Sequence, residues 1–181
     1  MKNFSFVIYD FFRYDIWRFL RNIWRFRKGL YNHRWYDYRG TLLFMESALL
    51  HISENVEKRG IEVEINRCKK VKKMVRVCEI IKHYDEYSYI QLAEKELGKL
   101  YEHKTWFEST KENSDSYTMK DDLTDEEREF NSKIYKRANE IEQEEWVELC
   151  EILKGQDYSK FRDDIDFDEQ FDGSGMKTWW D

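Results

Sequence analysis

The chain of 181 residues contains no proline and only seven glycines. Without the residues that most often break helices and punctuate sheets, long uninterrupted helices are the simplest reading, and there is little period-two alternation to argue for strands. Cysteine is scarce too. Cys68, Cys78 and Cys150 are odd in number and show no CxxC spacing, which argues against a disulfide framework or a structural zinc site. Cys68 and Cys78 fall in one expected helix, too far apart along it to pair. A reducing interior suits this usage, so a cytoplasmic location is expected. No apolar run reaches membrane-spanning length, since even YRGTLLFMESALLHI holds Arg39 and Glu46. The segment MKNFSFVIYDFF is interrupted by Asp10 and does not read as a secretory signal.

Catalytic signatures are missing as well. The chain has no GxxxxGK phosphate loop, no GxGxxG, no GxSxG and no HExxH. Three histidine–carboxylate pairs have helical spacing: His33 with Asp37, Glu79 with His83, and His51 with Glu54. None sits in a motif that supplies further ligands. A small helical metal-dependent enzyme is therefore the last of three readings, and no catalytic residue, metal ligand or cofactor is assigned. Cys78 falls on an inner helical face, where an inert thiol is expected.

What the chain does have is charge and aromatic rings, unevenly placed. The net charge is -6, yet residues 1–84 carry 18 Lys and Arg against 9 Asp and Glu, whereas residues 85–181 carry 13 against 28. Charges screen one another over about 8 Å at physiological salt, so the basic half can attract an anion despite the acidic total. The same polarity could join the halves to each other, within one chain or in a homo-oligomer. The basic half is densest from Trp17 to Arg39, WRFLRNIWRFRKGLYNHRWYDYR, where six arginines and one lysine alternate with eight aromatic rings. Guanidinium groups make paired bonds to phosphate or carboxylate, and neighbouring rings stack on bases or on the guanidinium plane.

The pattern along the chain predicts an all-α protein, an irregular helical bundle of four to five helices with an acidic C-terminal tail. A first helix is expected from Phe12 to Lys28, stopped or bent at Gly29, with Arg18, Arg21, Arg25 and Lys28 as a basic stripe and Trp17, Leu20, Trp24 and Phe26 in the core. Tyr38, Leu42, Met45, Leu49, Ile52 and Val56 follow the spacing of a bundle seam in a central second helix. A third, capped by Asn66, turns Val71, Met74, Cys78 and Ile81 inward and Lys69, Lys73 and Arg76 outward as a second basic stripe. A fourth runs from Asp85 to Tyr101. Periodicity then vanishes until Thr124 and Glu127, a capping box that opens a long acidic helix with Phe130, Ile134, Ala138, Ile141, Leu149 and Ile152 buried. The expected organisation is a basic-aromatic core over 1–107, a linker over 108–123, the acidic helix over 124–156 packing on the same domain, and a tail over 157–181. That tail either solvates freely or docks on a basic surface with its rings as anchors.

The stretch RNIWRFRKGLYNHRWYDYRGTLLFMESAL resembles small uncharacterised accessory proteins of tailed bacteriophages, over roughly residues 1–100. The resemblance implies a protein that acts on a host system from the host cytoplasm, and it assigns no activity to any position. From the residues themselves, the expected function is non-enzymatic capture of a phosphate-bearing ligand, a nucleotide or single-stranded nucleic acid. The expected ligand residues are Arg18, Arg21, Arg25, Lys28, His33, Arg34, Trp35, Tyr36, Arg39, Lys69, Lys73 and Arg76. The alternative is a protein–protein interaction or assembly module that inhibits or redirects a host protein, its acidic tail being the contact element. Membrane attachment is not expected, because Arg21 and Arg25 alone make a narrow charged stripe.

Overall fold

The computed structural model describes residues 11–34, 37–84, 88–109 and 117–179. They form a mostly helical, irregular fold, as composition predicts. In chain order it contains α1 (Ile16–Asn32), entered through a π-type turn at Phe11–Asp15, then α2 (Tyr38–Arg59), α3 (Glu64–His83) and α4 (Ser88–Leu97). These are followed by strands β1 (Thr105–Ser109) and β2 (Tyr117–Asp121), the 30-residue α5 (Asp125–Lys154) and the short α6 (Phe167–Gln170). Single 3-10 turns at Tyr158–Lys160 and Met176–Thr178 flank α6. Two compact units divide the chain, one drawn from Met1–Asp85 with Glu148–Asp181, the other from Glu86–Val147.

In the first unit α2 is central, packing on both α1 and α3. The expected seam of α2 buries Leu42, Leu49 and Val56, while Tyr38 at its first turn stays exposed. Met74, Val77, Cys78, Ile80 and Ile81 bury the facing side of α3. Asp37 caps α2, its Oδ1 accepting from the Arg39 amide at 2.9 Å, and Gly60 closes it through an N–H bond to the Val56 carbonyl. Asn66, expected as the α3 cap, lies inside the helix instead. Val63 holds the cap position, and buried Asn66 donates to Asp168 Oδ1 at 2.6 Å.

The second unit packs α4 against the first part of α5. Ala93, Ile134, Ala138 and Ile141 are buried, with Tyr89, Ile90, Leu92 and Phe130 around them. The capping box forms as its spacing requires: the Thr124 amide donates to Glu127 Oε2 at 2.8 Å, and the Glu127 amide to Thr124 Oγ1 at 3.3 Å. Where the sequence reads as linker, the described residues instead form an antiparallel hairpin with Trp106 opposite Lys120 and Phe107 opposite Met119. Its strands are β-prone but exposed on both faces, so no alternation marks them. Support comes from the ends, where Asp122 Oδ1 accepts from the Lys104 amide and Arg128 bonds to Asp121.

Gly29 does not stop α1. It is buried inside the helix, where an added Cβ would stand 3.2 Å from the Phe44 ring, so it marks a close approach of α1 to α2. That approach fixes the rotation of α1. Gly29 is buried and Arg25 and Phe26 are half-buried on the side turned to α2, while Trp17 and Trp24 are 64% and 69% exposed. The expectation that Trp17, Leu20 and Trp24 build the core is therefore corrected. The helix is held along the edge formed by Arg25, Phe26 and Gly29, and its wide apolar arc faces outward.

Candidate functional site

Two basic stripes were expected to bind ligand, and their surroundings in the fold differ. On α3, Lys69 Nζ donates to the carbonyl oxygens of Asp168 and Phe171 at 2.6 and 2.7 Å. Lys73 Nζ stands 3.4 Å from Asp172 Oδ2. Arg76 makes a two-pronged contact with Glu148, Nε to Oε1 at 2.9 Å and Nη2 to Oε2 at 2.6 Å. The guanidinium, through its side-chain bonds, holds the Glu148 carboxyl below the usual carboxylate range. The second stripe thus anchors the C-terminal segment and the end of α5.

The segment itself is built for close approach. Gly173, at φ +87°, brings its backbone so near α3 that an added Cβ would meet the Lys69 carbonyl carbon at 2.4 Å. Asp172 Oδ1 accepts from the Ser174 amide and hydroxyl at 2.8 and 2.6 Å, which shapes the turn. Trp179, 1% exposed, donates its indole N–H to the Gly173 carbonyl at 2.9 Å. Phe171 is also buried, and Tyr158, Phe161, Phe167 and Phe171 form a ring cluster with centroids 5.1 to 6.5 Å apart. Of the two accounts of this region, the contacts are those of docking.

Two clefts border the segment. One of about 480 Å³ is lined by Ile61, Val63, Tyr158, Phe167 and Phe171, with Glu62, Asn66, Lys70 and Thr178 supplying polar groups. Buried Lys70 donates to Glu62 Oε1 there. The other, about 340 Å³, sets Lys73 and Lys154 among Glu148, Glu151 and Asp172, a mixed and predominantly acidic lining. Neither is lined by a basic residue of α1.

On α1 the cations keep more of their surface. Arg21 is exposed, and Arg18 is exposed while pairing with Asp15 one turn earlier at 2.6 Å. Lys28 reaches to 3.9 Å from the buried Glu46 carboxylate while remaining mostly exposed itself. Half-buried Arg25 acts on His51, whose pKa lies below its ordinary value through burial first and the Arg25 charge second, with Glu54 opposing. The Arg27 guanidinium lies 4.1 Å from the centre of the Trp24 ring and donates to the Trp24 carbonyl at 2.7 Å. No acidic residue occurs anywhere in Ile16–Asn32.

The turn after α1 is only partly described. His33 packs edge-on to Phe44 and against Gly40, where an added Cβ would meet its Nδ1 at 2.9 Å. Exposed Arg34 offers its carbonyl to the Asp37 amide at 3.0 Å. Arg39 lines a cleft of about 20 Å³ with Leu42, Leu43, Ile81 and Tyr84, too small for a nucleotide. Trp35 and Tyr36 lie outside the described residues.

Members of the histidine–carboxylate pairs also make other contacts. Asp37 caps α2, Glu79 stands 3.8 Å from Arg76, and His51 packs with Asn55, whose Nδ2 donates to the His51 carbonyl. Among the described residues no group of three or more His, Cys, Asp or Glu side chains is placed to hold a metal ion. Burial, reinforced by Glu46, pushes the Cys78 thiol up to about 11. Comparison of the chain with protein-family models, curated proteins and solved structures finds no match.

Proposed function

We propose that this chain is a non-enzymatic binding protein that engages a phosphate-bearing partner along α1. One observation carries the reading: α1 presents exposed arginines beside exposed rings with no acid in its 17 residues, in a chain whose net charge is -6. A helix free of carboxylates in an otherwise acidic protein concentrates positive potential on one surface. The ligand set narrows to Arg18, Arg21, Arg25 and Lys28, with Arg34 at the end of the helix. Lys69, Lys73 and Arg76 leave the set, because the C-terminal segment and the end of α5 occupy them. An extended polyanion fits this convex surface better than an enclosed mononucleotide does. The resemblance to tailed-phage accessory proteins fits the same reading, a small protein that engages a host component without catalysis.

Single-stranded oligonucleotide and inorganic polyphosphate test the proposal by fluorescence anisotropy and competition. Binding should weaken linearly in log–log form as salt rises, as counterion release requires. Arg18→Glu with Arg21→Glu should weaken it by about tenfold or more, since each reversal replaces an attraction by a repulsion. Unchanged binding by that variant would sink the assignment to α1.

A further inference from the structure

The geometry points to an anionic lipid bilayer as the occupant of the apolar face of α1. The inference rests on the reading of α1 as a binder of phosphate-bearing partners and names the phosphate as that of a lipid headgroup. It begins from what the cations alone leave unexplained. Trp17 and Trp24 can serve a nucleic acid by stacking, but Leu20, Ile23 and Leu30, 49%, 40% and 52% exposed, offer a base nothing to stack on. Aliphatic side chains gathered on one face of a helix gain free energy only by leaving water for an apolar phase.

The arrangement around that face matches a helix lying in a membrane interface. Trp17 and Trp24 are seven residues apart, hence on one line of the helix, and each stands four residues before a cation, Arg21 and Lys28. That places the indoles at the border between apolar arc and charge, the level that indoles favour between acyl chains and headgroups. The exposed cationic arc takes in Arg18, Arg21 and Lys28, with Arg25 half-buried on its α2 side. Arg27, within the apolar arc, already lies along the Trp24 ring, and its long stem lets the guanidinium reach headgroup level. Seventeen residues give an in-plane helix about 25 Å long, whose apolar face would enter the bilayer by about 5–10 Å. Among the described residues no helix is long and apolar enough to cross a membrane, so the contact is with one surface.

A second copy of this chain fits less well. Packing two α1 apolar faces together would bring two acid-free cationic rims side by side, a repulsion with no carboxylate of α1 to offset it. Anionic lipid supplies the apolar phase and the opposite charge at once.

The test uses the full chain with vesicles of equal parts phosphatidylcholine and phosphatidylglycerol, read by flotation, against phosphatidylcholine alone. Binding should be about tenfold or more stronger on the anionic vesicles and should weaken with salt. Leu20→Glu with Ile23→Glu should abolish flotation while helicity by circular dichroism is unchanged, because both side chains face outward. Ile61→Glu, at a site 90% exposed outside α1, should float as the parent does. If the protein ignores anionic vesicles yet binds single-stranded oligonucleotide through α1, the lipid proposal is overturned and the phosphate-binding reading stands. Failure with vesicles, oligonucleotide and polyphosphate alike removes both. A lipid-free dimer that Leu20→Glu with Ile23→Glu converts to monomer would show a second copy on this face, and equal binding to neutral vesicles would remove the headgroup; either result overturns the proposal.

Discussion

Gly173→Ala probes the contact on which the C-terminal segment depends. Its φ of +87° alone makes alanine unfavourable by about 1–2 kcal/mol. The larger effect is steric: the new Cβ would stand 2.4 Å from the Lys69 carbonyl carbon, 2.5 Å from its oxygen and 2.7 Å from the Lys70 nitrogen. All three are backbone atoms of α3 and cannot swing aside, so the segment must retreat. Retreat weakens the Lys69 bonds to the Asp168 and Phe171 carbonyls and begins to expose Phe171 and Trp179, each side chain worth about 1.5–3 kcal/mol when fully buried. A loss of about 3 kcal/mol or more is expected, a large share of the roughly 5–15 kcal/mol that holds a typical domain. Gly175→Ala is the control. It too has positive φ, +105°, but its added Cβ would meet Gly155 Cα at 3.4 Å and Thr178 Oγ1 at 3.5 Å, ordinary contacts. Urea unfolding gives the stability of each variant, and hydrogen exchange at the Trp179 indole N–H reports whether its bond to Gly173 persists. Exchange should quicken in Gly173→Ala and stay protected in Gly175→Ala. If Gly173→Ala costs no more than the dihedral penalty and leaves the indole protected, the close-approach argument is wrong.

Two further outcomes bear on the first unit. Cys68 and Cys150 are exposed and Cys78 is buried, its thiol raised to about 11, so a disulfide-exchange reagent near neutral pH should titrate two thiols in the folded protein and the third only after denaturation; three fast thiols would contradict the burial. His51 should titrate below its ordinary value of about 6.5 in a proton-resonance experiment, and Arg25→Gln should move it upward by removing the nearby positive charge. Because the fold favours neutral His51, the unfolded chain takes up the proton first on acidification. The His51 contribution to stability is therefore present above about pH 6.5 and is lost as pH falls toward its lowered folded value. No movement in Arg25→Gln would show that the guanidinium does not act on the ring.

Much of the helical frame is legible because burial leaves a periodic trace. Leu42, Leu49 and Val56 announce α2, and Thr124 with Glu127 announces the start of α5 through a local hydrogen-bond requirement that no distant contact has to satisfy. The rotation of α1 is a different kind of information. Its amphipathic pattern separates rings from arginines but does not say which arc meets α2, and the usual inference that the apolar arc goes inward fails here. The available signal was Gly29, a helix-interior glycine four residues after Arg25, which marks a close helix–helix approach when it does not mark an end. The hairpin left no trace because both faces of β1 and β2 are wet. In the tail, the acidic composition obscured DGSG followed by TWW, in which turn glycines and an indole carry the docking.

The fates of the two basic stripes are connected. Lys69, Lys73 and Arg76 can bind main-chain carbonyls and carboxylates of the same unit because Gly173 lets the backbone descend onto α3 and Trp179 holds it there. Once those cations are engaged, their field is offset within the fold and the basic excess of residues 1–84 is expressed mainly along α1, which has no acid of its own. Under the proposed function, the C-terminal segment would act on binding without touching the ligand, by occupying a competing cationic surface. Under the same proposal, local charge rather than net charge sets where this acidic protein would meet an anion, and the packing of α1 at Gly29 leaves that surface beside an apolar face.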